Sequence, residues 1–153
     1  MRDFFLMGSD ADRPFTLPTG TVAFLLTDIE GSSSRWETDP ASMAPAVTRH
    51  YAILDEAVAR HGGVRPVEQG EGDSIVAAFS RATDAIAAAL DAQRELLAEV
   101  GDRFRVRMAV HAGEAQMRDE GNYFGQAVIR CARLRALGHG GQVLVSRTAA
   151  DLS

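Results

Sequence analysis

The segment Val22–Ser34, VAFLLTDIEGSSS, constrains this chain more than any other stretch. Val22 to Leu26 is an unbroken apolar run, the pattern of a strand buried on both faces, and Asp28 follows where such a strand surfaces. Gly31, Ser32, Ser33 and Ser34 then read as a turn with free backbone N–H groups, leading into a helix whose N-terminus attracts anions. A carboxylate beside an anion-binding loop points to a metal-bound phosphate. The competing reading is local: Asp28 caps the next helix and the serines are solvent-facing turn residues.

A chain of 153 residues is long enough to bury such a strand in one domain without disulfides or structural metals. Its hydrophobic fraction of 46% and charged fraction of 24% are those of an ordinary globule. The net charge of -5 argues against a nucleic-acid surface, which needs a basic face, and the short cluster Arg130, Arg133 and Arg135 does not reverse that. All 16 basic residues are arginine, so any step that needs a lysine must find it elsewhere. The lone Cys131 falls inside a helical pattern and reads as a buried thiol. No apolar run approaches the roughly 18 residues of a membrane span, and Phe4–Met7 is too short for a signal segment, so the expectation is a cytoplasmic chain with no membrane contact.

Residues 1–19 mix charge with Pro14 and Pro18 and read as an N-terminal arm ahead of a domain over 20–153. After the first strand comes a short helix closed by Asp39-Pro40. Val47, Tyr51, Leu54 and Val58 then mark an amphipathic helix over 42–61, stopped by Gly62-Gly63. His50 and His61 lack a metal-spaced partner on it and read as surface residues. Val64–Val67 and Ser74–Phe79 read as a hairpin, and 81–100 as a second covering helix. Phe104, Val106, Met108 and Val110 alternate with Arg105, Arg107 and Ala109, so Arg107 points away from the apolar face of a strand. A second hairpin or extended loop turns at Gly121-Asn122, followed by a helix over 125–137, a strand over 142–145 and the start of another helix. The order βααββαββαβα predicts an α+β fold, an antiparallel sheet covered by helices on one face. The other face is left for solvent or a dimer cleft.

Asp73, in GEGDS, should fall beside the end of the first strand, so that two acids converge. Paired carboxylates suit a pair of Mg²⁺ or Mn²⁺ ions in displacement at phosphorus. The motifs FLLTDIEGS, EQGEGDS, RVRMAVHAGE and NYFGQAVIRCARL, in this order and spacing, resemble the catalytic domain of class III nucleotidyl cyclases over about 20–153. The resemblance implies a ferredoxin-like nucleotide cyclase fold, a head-to-tail homodimer with active sites at the interface, ATP or GTP as substrate, and cyclic nucleotide as product. It implies Asp28, Asp73 and the Ile29 carbonyl as metal ligands, Ser32 and Ser33 at the triphosphate, and Arg107 on phosphate. Arg133 is implied as the transition-state arginine supplied by the partner chain.

Where that family reads the base with charged or thiol side chains, this chain has Gln69 and Asn122, neutral amides that can offer donors or an acceptor to either purine. Ile129 stands at the position of a ribose-orienting asparagine, with Gln126 and Arg130 as nearby substitutes. The family's next hairpin, with its phosphate-binding lysine, is not found by Ser153. His111 resembles a family histidine with a packing role. Two functions follow from the resemblance: a metal-dependent purine nucleotide cyclase, or a degenerate cyclase-like module that binds nucleotide and dimerises within a larger regulator.

Overall fold

The structure, a computed structural model, describes residues 16–67, 72–119 and 121–153. Its elements are β1 (Thr21–Ile29), α1 (Ser32–Thr38), α2 (Pro40–Arg60), β2 (Ile75–Phe79), α3 (Ala82–Val100), β3 (Val106–Glu114), β4 (Gln116–Asp119), β5 (Asn122–Phe124), α4 (Gln126–Ala136), β6 (Val143–Val145) and α5 (Arg147–Leu152). The main sheet has the order β2-β1-β3-β6. β1 runs antiparallel to both β2 and β3, whereas β6 joins β3 in parallel. β4 and β5 form a separate two-stranded ribbon.

The apolar run of β1 is explained by its central place. Alternate side chains leave a strand on opposite faces, and here both faces are covered. Ala23 and Leu25 join Ile53, Leu54, Ile75, Phe79, Leu96, Phe104 and Met108 in the larger core, under α2 and α3. Val22, Phe24 and Leu26 point the other way, into a smaller core with Ala109, Ala127 and Cys131 of α4. The expected antiparallel α+β sheet is therefore present, with one amendment: α4 covers the face expected to lie open. Its stripe Ala127–Cys131 is apolar and buried against the sheet, and burial of that stripe drives the docking.

Two local expectations are corrected and one is extended. Val64–Val67 is no strand; Val64 alone bridges Ala78, with the pairing confined to Val64 N–Ala78 O and Ala78 N–Val64 O. Asp39-Pro40 closes α1 as expected, Asp39 N donating to Arg35 O at 3.0 Å, and it also opens α2: Asp39 Oδ1 accepts from Ser42 N at 3.2 Å, and Pro40 occupies the first helical position, where its missing N–H costs nothing. His50 is fully buried rather than on the surface, because it shares the α2 stripe with Val47 and Leu54. From the expected arm, Leu17 is buried and the Pro18 carbonyl accepts from Tyr123 Oη at 2.6 Å, so its last residues pack on the domain. No helix among the described residues is long and apolar enough to cross a membrane.

Candidate functional site

Asp28 is the last polar group of β1 on the α4 side, two residues beyond Leu26. Antiparallel register sets it directly opposite Arg107 of β3, and facing residues of opposite charge attract. The pairing is bidentate: Arg107 Nε donates to Asp28 Oδ1 at 2.8 Å and Nη2 to Oδ2 at 2.5 Å. The Asp28 carboxylate holds the Arg107 guanidinium above its ordinary pKa, with smaller contributions from Glu30 and Asp73. Arg107 thus leaves the sheet on the side away from Phe104 and Met108, as the alternation predicts.

A second guanidinium reaches the same carboxylate. Arg135 Nε lies 3.5 Å from Asp28 Oδ2, and its Nη1 donates to the Thr27 carbonyl at 3.1 Å. The sequence reading placed Arg135 only within a charge cluster. The signal that finds it is the helical stripe, since Arg135 follows Cys131 by one turn and Ala127 by two, on the buried face of α4.

Asp73 stands just before β2, whose Ile75 pairs with Thr27 of β1, so the second acid comes up beside the end of the first strand. Its Oδ2 is buried with no hydrogen-bond partner among the described residues. The adjoining turn is pinned by Tyr51 Oη, which donates to the Gly72 carbonyl at 3.1 Å. An orphaned anionic oxygen is costly, and a cation is its natural complement. Two carboxylates and a main-chain carbonyl are hard oxygen donors, the set that suits Mg²⁺ or Mn²⁺. No cluster of three or more His, Cys, Asp or Glu side chains able to hold a metal occurs among the described residues, so a cation here would complete its shell with ligand oxygens or water.

The loop from Ile29 to Gly31 is braced on several sides. Glu30 N donates to Arg105 O at 2.9 Å, Gly140 N donates to Glu30 Oε2 at 3.1 Å, and Arg35 Nε donates to Glu30 O at 3.2 Å. Gly31 caps α1 with φ 65°, in the left-handed region that favours glycine, and Ser32 and Ser33 form the first turn behind it. A cavity of about 790 Å³ flanks this loop between α1 and the turn before β3, but neither Asp28 nor Asp73 lines it.

The remaining expected residues lie apart from Asp28. Arg133, Gln126, Ile129 and Arg130 occupy the exposed side of α4. Asn122 is buried, with Nδ2 donating to the Asp119 carboxylate at 3.0 and 3.3 Å, so its amide is oriented rather than free to rotate. Gln69 lies outside the described residues. His111 is buried and its Nδ1 lies 2.8 Å from Ser146 Oγ, the packed, hydrogen-bonded role expected of it. Burial pushes the Cys131 thiol up to about 12, which makes it a packing residue.

Residues 16–153 match the family model described as the adenylate and guanylate cyclase catalytic domain. An uncharacterised protein of Mycobacterium tuberculosis is 50% identical over 135 residues, covering 88% of this chain and 46% of that relative. An adenylate cyclase of Podospora anserina is 31% identical over 164 residues, covering 90% of this chain and 8% of that protein. The chain thus spans less than half the length of either relative. Among solved structures, an adenylate cyclase of Trypanosoma brucei in its monomeric state superposes with a TM-score of 0.77 at 25% identity, covering 94% of this chain and 81% of that one.

Proposed function

The chain belongs to the adenylate and guanylate cyclase catalytic domain family, and from that premise we propose that it acts as a homodimer, converting ATP or GTP to the 3′,5′-cyclic nucleotide and pyrophosphate. The observation that carries this reading is the bidentate Arg107–Asp28 pair at the end of β1, on which Asp73 also acts while its Oδ2 is buried without a hydrogen-bond partner among the described residues. Asp28, Asp73 and the Ile29 carbonyl would hold Mg²⁺ or Mn²⁺. Such a cation, when bound, lowers the pKa of the ribose 3′-hydroxyl and neutralises phosphate charge.

The chain's own residues position and neutralise. Arg107 presents a fork that fits phosphate oxygens as well as it fits Asp28. The first-turn amides of Ser32 and Ser33 offer N–H donors with no intrahelical acceptor. Arg133 is exposed and has no hydrogen bond or ion pair among the described residues, as suits a side chain that serves the partner's site by stabilising charge developing on the α-phosphoryl group. Ile129 and Leu137, 43% and 77% exposed, stand one helical turn to either side of Arg133 and offer apolar surface that a second copy would cover. By their place in the motifs, Gln69 and Asn122 are the positions that would read the base, both neutral amides, with the Asn122 Nδ2 held by the Asp119 carboxylate.

The test is Mn²⁺- or Mg²⁺-dependent formation of cyclic product from each nucleotide. Product is expected from both, with rates within about tenfold, because no charged group selects the base edge. A hundredfold preference would overturn the amide reading. Dimeric assembly has its own check. Mixing inactive Arg133→Ala and Asp28→Asn chains is expected to restore about a quarter of wild-type activity, since half the dimers are mixed and each then has one intact site. No recovery would place Arg133 in its own chain's site. A second reading, a degenerate nucleotide-binding module, is favoured by exposed Ile129, which offers no hydrogen bond where the family orients ribose. Nucleotide binding without product would select it.

A further inference from the structure

The proposed metal acid is already occupied from within its own chain. Arg107 takes both oxygens of Asp28 from the facing strand, and Arg135 approaches Oδ2 from α4 while tying itself to the carbonyl of the preceding residue. These side chains are largely withdrawn from water: Arg135 is 17% exposed, Asp28 15% and Arg107 28%. Arg107 is explained by the phosphate it would bind. Arg135 is not, for its helix carries the residue that would serve the partner's site, Arg133, on the opposite, exposed side.

We propose that Arg135 is a latch on Asp28: it competes with a bare divalent cation for the carboxylate, so the cation enters as its complex with the nucleotide triphosphate. This rests on the metal assignment of the proposed function. The charge count supports it. In direct contact, one carboxylate faces two guanidiniums, an excess of positive charge that Glu30 and Asp73, which also act on Arg107, offset from beyond that contact. A free cation approaching Asp28 meets two fixed cations, and like charges at this range repel in a site of reduced dielectric. An incoming triphosphate carries oxygens that accept from the same guanidinium forks. Its arrival lets the arginines exchange one anion for another and frees Asp28 for the cation that the phosphates bring. The tie from Arg135 Nη1 to Thr27 O makes the latch a built contact, because a guanidinium can bridge a carbonyl and a carboxylate at once, as an ammonium held at one point cannot.

The test measures Mn²⁺ affinity by titration calorimetry or by the electron paramagnetic resonance of free Mn²⁺, on the whole chain, with and without a non-cyclisable ATP analogue. With Mn²⁺ alone, Arg135→Gln is expected to bind about fivefold more tightly than wild type, and Arg135→Lys, which keeps the charge but loses the bridge, about twofold more tightly. With the analogue present, the difference between Arg135→Gln and wild type is expected to fall below about twofold. Circular dichroism confirms that each variant is folded, and Arg135→Lys carries the comparison where Arg135→Gln is not. Equal or weaker Mn²⁺ affinity in the folded variants overturns the latch, as does a difference that persists with the analogue. Asp28→Asn, titrated in parallel, is expected to lose Mn²⁺ binding. If it binds Mn²⁺ like wild type, the metal assignment itself fails, an outcome separate from a latch that fails while Asp28 still governs Mn²⁺.

Discussion

Replacing Asp28 with Asn is expected to lower metal-dependent cyclic nucleotide formation about a thousandfold or more, because a cation contributes several kcal/mol of transition-state charge stabilisation and each 1.4 kcal/mol is about a factor of ten. Asp73→Asn is expected to lose a similar amount. The two variants should part company in stability. Asp28 is the anion for two half-buried guanidiniums, so Asp28→Asn leaves charged donors short of their acceptor and is expected to cost about 2 kcal/mol in urea unfolding. Asp73 presents a buried Oδ2 with no partner among the described residues, so Asp73→Asn should hold or raise stability in metal-free buffer. Matching losses of activity with opposite effects on stability would mark both acids as ligands of something absent from the free chain. Full activity in Asp73→Asn would dismantle the paired-carboxylate site.

The second large effect concerns His50 and pH. Its ring is fully buried, edge-on against Tyr51 and Phe104 at centroid separations of 4.9 and 5.8 Å, and neither nitrogen has a hydrogen-bond partner among the described residues. Burial pushes its pKa down from 6.5 to about 4; Asp73, Asp55 and the Val47 carbonyl oppose the shift and Arg65 reinforces it. The folded ring therefore stays neutral while the unfolded ring takes up a proton. Between those two values the unfolded state binds more protons, so stability falls as pH drops from 6.5 towards about 4 and is unaffected by this group above that window. The loss amounts to about 3 kcal/mol across the window. His50→Phe keeps an aromatic shape and forfeits no hydrogen bond, so it should unfold with a flatter pH profile in metal-free buffer and hold its stability at neutral pH. If the wild type and His50→Phe lose stability in parallel on acidification, another group is responsible.

How much of this was legible in advance differs by residue. The burial of β1, the exit of Arg107 from the apolar face and the inert Cys131 follow from local patterns, whereas the packing of His111 was implied by the resemblance alone. Val64–Val67 shows the limit of such patterns: a short apolar run beside glycines is compatible with a ladder, but Val64 bridges Ala78 while Val67 N turns to Gly121 O instead, so no ladder forms. Asp39-Pro40 reads correctly as the end of α1, and only the structure adds that the same dipeptide starts α2. His50 was misjudged as surface although its spacing from Val47 and Leu54 places it on the buried stripe; its polarity masked its register.

The residue pattern alone carries the buried strand that delivers Asp28 to Gly31 and the serines behind it, and the direction of Arg107 away from the core. Periodicity and composition suffice for those, because each depends on neighbours along the chain. Only the packed structure shows that α4 covers the second face of the sheet, that Arg135 closes on a carbonyl 108 positions away, and that Asp73 keeps a buried oxygen unpaired among the described residues. Those depend on which helix face meets which strand edge. That choice is made by the burial of whole apolar surfaces, and no local pattern of residues records it.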